Sequence, residues 1–104
     1  MNETWTPAVE IHLRIRVRDT GRDVFLTFLR EAIPFYESPG GIRVSLLRDT
    51  NDPERYIEHI GYRTEADYER DQQRVESDPE MKAYLARWRA LLDEPPVVEI
   101  YRPD

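Results

Sequence analysis

Val9-Glu10-Ile11-His12-Leu13-Arg14-Ile15-Arg16-Val17-Arg18 alternates apolar and polar side chains without a break. Successive side chains of a strand point to opposite faces. This period of two therefore sets Val9, Ile11, Leu13, Ile15 and Val17 on one side and Glu10, His12, Arg14, Arg16 and Arg18 on the other, the pattern of a half-buried strand. Downstream, Asp19 or Thr20 is placed to cap a helix in which Phe25, Phe28, Leu29 and Ala32 share one face, and Pro34 is expected to end or kink it. Ser38-Pro39-Gly40-Gly41 is a turn cluster leading into a second strand, Ile42 to Arg48, and Asn51-Asp52-Pro53 marks the next turn. A third strand is predicted from about Arg55 to Arg63, so that the two form a hairpin with a longer connection.

Thr64, followed by Glu65, Ala66 and Asp67, starts a second helix with a capping side chain and acidic residues in its first turn. Its first half, through Val75, is polar and expected to be exposed, and Ser77-Asp78-Pro79 interrupts it with a fresh cap and a first-turn proline. Beyond the break, Met81, Tyr84, Leu85, Trp88, Leu91 and Leu92 fall on one apolar stripe that must be buried, with Trp88 in the core. Glu94-Pro95-Pro96 stops the helix, and Val97 to Arg102 supplies a last strand. Residues 1–8, with Trp5 and Pro7, read as a flexible tail of a single domain spanning 1–104.

The order strand, helix, strand, strand, helix, strand predicts an α+β fold of ferredoxin-like type, a split βαβ sandwich with four antiparallel strands and both helices on one face. The uncovered face cannot be wholly polar. The third strand has Tyr56, Ile60 and Tyr62 on one side with Ile57 and His59 on the other, and the fourth has Val98 and Ile100 opposite Val97 and Tyr101. A second sheet would bury these groups, and its simplest source is another copy of the chain, giving a homodimeric α/β barrel.

Composition narrows the function. The 104 residues suffice for one core, and 39% hydrophobic with 35% charged residues suits a soluble protein without a bilayer-spanning segment. Met1 to Ala8 lacks the basic and apolar regions of a secretory signal, so a cytoplasmic location is expected. The absence of cysteine excludes disulfides, thiolate nucleophiles and cysteine-ligated metals. A net charge of -6 argues against nucleic acid as the main partner.

Four segments carry a resemblance: Pro39-Gly40-Gly41 running into Ile42-Arg43-Val44, Tyr62-Arg63-Thr64-Glu65-Ala66-Asp67-Tyr68, Ser77-Asp78-Pro79-Glu80-Met81-Lys82-Ala83-Tyr84-Leu85, and Pro96-Val97-Val98-Glu99-Ile100-Tyr101. Together they resemble the antibiotic biosynthesis monooxygenase domain of the dimeric α/β barrel superfamily and, more distantly, NIPSNAP-type domains. The resemblance spans nearly the whole chain, but its motifs are mostly structural punctuation. It implies a cleft between sheet and helices for small aromatic substrates, and in some members oxygenation without metal or flavin. No cofactor is therefore expected. The same barrel also supports polyketide cyclases or isomerases, and non-catalytic ligand-binding or stress-related dimers.

Such an oxygenation needs a base, an apolar cavity and access for dioxygen. The candidates for catalysis are His12, Arg14 and Tyr62. His12 shares its strand face with Arg14 and Arg16, cations that favour a neutral imidazole base; its alternative role is to line a dimer contact. Arg14 can hold a substrate oxyanion, with Arg16 as a binding residue, or both can pair with Glu10, Glu58 or Glu99 on neighbouring strands. Tyr62 stands where tryptophan is common in the family, and Tyr68 where tyrosine recurs, so either can orient an aromatic substrate or simply pack. His59 is a further binding candidate, on the face opposite Tyr62. Haem-degrading relatives carry a ligating histidine in the second helix, and Glu69-Arg70-Asp71-Gln72-Gln73 has none. The two histidines form no helical pair, and no spacing reads as a metal site.

Overall fold

The computed structural model describes residues 4–104, and its four-stranded antiparallel sheet has the order β2-β3-β1-β4. The elements are β1 (Val9–Arg16), a single 3-10 turn (Asp19–Gly21), α1 (Arg22–Glu37), β2 (Ile42–Arg48), β3 (Arg55–Tyr62), α2 (Glu65–Ser77), α3 (Pro79–Ala90) and β4 (Val97–Tyr101). This is the expected ferredoxin-like arrangement. β1 lies centrally and sets the register: Leu13 faces Glu58 of β3 and Val98 of β4, and His12 faces His59 and Glu99. The inward side chains Val9, Ile11 and Ile15 are buried, and the main core joins Ile15, Val17 and Tyr56 to Phe25, Phe28, Leu29, Ala32, Met81 and Trp88 from the helices. All the helices thus lie on one face, as the periodicities required.

Two local features differ from the sequence reading. Residues 19–21 are spent in the 3-10 turn, so Gly21, rather than Asp19 or Thr20, occupies the cap position of α1, without a side-chain cap bond. Pro34 does not end α1, which runs on to Glu37. A proline costs one backbone bond in the preceding turn, and burial of Ala32 and Tyr36 on either side compensates for it.

Thr64 and Asp67 form a full capping box for α2, and Asp78 accepts from Glu80 to start α3 at the proline. Gly41 adopts φ +72, where a Cβ would lie 2.4 Å from Asp67 Oδ2, so the β2 turn and the α2 cap fit together only through a glycine. Of the expected tail, residues 1–3 lie outside the described residues. Ala8 donates its N–H to the Tyr62 carbonyl at 2.8 Å, and the Arg43 guanidinium sits 4.5 Å over the Trp5 ring.

Candidate functional site

Between the sheet and α2/α3 lies a cavity of about 180 Å³, walled by Ile11, Leu13, Ile60, Val75, Met81 and Leu85. Polar groups enter this apolar space from four elements. β3 contributes Glu58 and Tyr62, α1 contributes Tyr36, α2 contributes Asp71, and α3 contributes Trp88. Pro96 and Val98 line its edge, where β4 is exposed.

Glu58 is 3% exposed, and its Oε1 accepts from the Trp88 indole N–H at 3.1 Å. Burial disfavours its charged form and raises its pKa to about 7; the indole hydrogen bond pulls the other way but does not cancel this. A carboxyl group poised near neutrality inside an apolar cavity has the character of a general base. Beside it, the Tyr36 hydroxyl is buried and lacks a hydrogen-bond partner among the described residues. Burial first, and the Glu58 charge second, push the Tyr36 pKa up, so the phenol stays neutral and able to donate to a bound oxygen atom.

At the other end of the cavity the Tyr62 hydroxyl donates to Asp71 Oδ2 at 2.5 Å. Burial, followed by the Asp71 charge, raises the Tyr62 pKa, which keeps it protonated as the donor. Arg74, one turn along α2, places its Nε 3.5 Å from Asp71 Oδ1 and donates from its terminal nitrogen to the carbonyls of Phe35 and Tyr36. The last turn of α1 thereby receives a cation at its negative end, and α1 and α2 are locked around Tyr36.

The sheet divides the residues singled out from sequence. Tyr62 faces the cavity, and Tyr68 packs edge-on against it at 5.3 Å under the Arg102 guanidinium. His12, Arg14, Arg16 and His59 project from the opposite face, so the sheet separates them from Tyr62. There Arg14 pairs with Glu99 at 2.7 Å, while Arg16 pairs with Asp52 at 2.7 Å and Glu54 at 3.3 Å from the β2–β3 connection. Glu10 turns instead to His59, 2.7 Å away, and Glu58 points to the other side altogether. The rings of His12 and His59 meet at 5.1 Å, and Tyr101 lies 4.9 Å from His12.

Sequence reasoning missed Glu58, Tyr36 and Asp71 as site residues. The signal for Glu58 was present: it shares the parity of Tyr56, Ile60 and Tyr62 on β3 and is thereby forced inward.

The antibiotic biosynthesis monooxygenase family model matches residues 8–90. Among solved structures, a conserved protein from Methanosarcina mazei Go1 superposes with a TM-score of 0.78 at 16% identity, covering 94% of each chain. A proposed antibiotic biosynthesis monooxygenase from Bordetella bronchiseptica gives 0.75 at 19% identity, over 95% of this chain and 99% of its own. A point mutant of SnoaB, a cofactor-independent oxygenase from Streptomyces nogalater, gives 0.74 at 17% identity over 91% of each chain. At these identities the structural likeness establishes the fold alone. No curated protein matches the sequence.

Proposed function

This chain belongs to the antibiotic biosynthesis monooxygenase family, and from that premise we propose that it is a cofactor-independent monooxygenase acting on an aromatic or polyketide-like compound in the cavity between sheet and helices. Glu58 carries the proposal, as a buried carboxyl group whose pKa of about 7 suits removal of an acidic C–H or phenolic proton at neutral pH. The neutral Tyr36 hydroxyl beside it is suited to stabilise the substrate oxyanion that results. The electron-rich anion transfers electrons to dioxygen and a C–O bond forms, giving a hydroperoxide. Loss of water then leaves a carbonyl. One oxygen atom enters the product and the other leaves as water, so a substrate CH₂ becomes C=O with the four electrons that dioxygen needs.

The space of about 180 Å³ compares with the roughly 150 Å³ cavity that accepts benzene in another protein. It accommodates one ring, and a polycyclic substrate must extend outward past Pro96 and Val98. On the outer face, Leu47, Val97 and Tyr101 are 59%, 55% and 45% exposed, which supports a homodimer formed by packing two such faces. The same pairing of Glu58 with Tyr36 also suits proton relocation in a cyclase or isomerase, which would consume no oxygen.

The test is an oxygen electrode with small quinols and anthrone-like substrates, comparing wild type with Glu58→Gln. Oxygen uptake that falls about 10²-fold or more in the variant supports the reading. Turnover without oxygen uptake moves the assignment to the cyclase, and uptake unaffected by the substitution refutes the role of Glu58.

A further inference from the structure

We propose that Glu10, His12 and His59 form a binding site for a borderline divalent transition ion, Zn²⁺ or Ni²⁺, on the sheet face opposite the cavity. The three residues place one donor atom each within 4.8 Å of one another. All three are partly buried within the single chain, so their rotamers are restricted. Two imidazoles and one carboxylate are a donor set that suits such ions, with further positions left for water.

The backbone builds this set. His12 and His59 are direct partners across the β1–β3 ladder, where side chains stand about 5 Å apart. Glu10 lies two residues before His12 on the same face of β1, and its own partner across the ladder is Gly61, which has no side chain to compete for the space. The Glu10 carboxylate already reaches His59 Nε2 at 2.7 Å; an ion replaces the proton in that contact, the pair opens to about 3.3 Å and the wider-spaced donors close to the same separation, as metal–ligand bonds of about 2.0–2.1 Å require. The nearest cation on the strand, Arg14, is neutralised by Glu99 at 2.7 Å. The chain has 2 histidines and no cysteine, so every imidazole it owns is in this cluster. The ligands come from one protomer, on the sheet face that the proposed homodimer would cover, and the sheet separates them from Glu58, so the site is independent of the reaction proposed above.

The experiment uses untagged full-length protein titrated calorimetrically with Zn²⁺ and with Ni²⁺, with Mg²⁺ as the hard-cation control. Saturation at no more than one ion per chain is expected, with His12→Ala, His59→Ala and Glu10→Gln each weakening affinity at least about 10-fold and Mg²⁺ giving no comparable heat. Affinity that survives both histidine substitutions overturns the proposal. A readout on the unaltered protein guards against variants that fail to fold: Zn²⁺ must shift the NMR signals of both imidazoles, and signals that do not move refute the site.

Discussion

Between pH 5 and pH 8 the fold should lose stability as Glu58 ionises. The carboxyl group has a pKa of about 7 in the folded protein against an ordinary 4.5. Its folded-state value is raised, so the proton is held more tightly in the native than in the unfolded chain. The associated stability is fully present below about pH 4.5, declines as the pH rises toward 7, and is absent above it. The interval corresponds to about 3 kcal/mol. With a urea slope of about 1–3 kcal/mol/M, the unfolding midpoint should fall by about 1–3 M across the window. Urea melts at pH 5, 6, 7 and 8, on wild type and Glu58→Gln, isolate the effect. The amide still accepts from Trp88 but does not titrate, and contributions from every other group cancel in the difference. Asp49, Asp52, Glu31 and Glu65, whose pKa values are lowered by hydrogen bonds and arginine partners, act with the opposite sign and at more acidic pH. A wild-type midpoint that stays level or rises between pH 5 and 8, or a Glu58→Gln profile with the same slope, would refute the reasoning.

Trp88→Ala removes a core indole that is 5% exposed and should destabilise by about 3–5 kcal/mol in denaturant melts, and a loss below 1 kcal/mol would contradict its packing. Gly41→Ala sets a Cβ against Asp67 at positive φ; loss of the α2 capping box alone should cost about 0.5–2 kcal/mol, with backbone strain added, and an unchanged melting temperature would argue against the turn geometry.

The fold was legible because its elements carry strong periodic signals. Val9 to Arg18 alternates too regularly to be anything but a strand, and the stripe from Met81 to Trp88 has no outlet except the core. The site was less legible, for reasons that differ by residue. Glu58 was readable from parity alone, but a glutamate on a strand invites an ion-pair reading with Arg14 and Arg16. Asp71 lies in a helical stretch that is polar almost throughout, and its burial depends on Tyr62 arriving from β3, which no local pattern encodes. Tyr36 and Pro34 share a helix whose continuation past the proline is decided by packing. The proximity of His12 to His59 depends on the β1–β3 register: each strand shows its own faces, and only their alignment shows which side chains become neighbours.

β4 bonds to one neighbour, β1, and four of its five residues are exposed. Past its far end Arg102 bonds Glu65 of α2 at 2.6 Å, an exposed ion pair of small energetic value. Segments held this lightly open first, and their opening free energy is a fraction of the global one. Val98 lies on this strand and also lines the cavity. In the single chain this wall of the chamber is thus lightly tied; packing of two outer faces, as proposed, would cover Val97 and Tyr101 and brace it, so the chamber would be firmer in the dimer than in the chain alone.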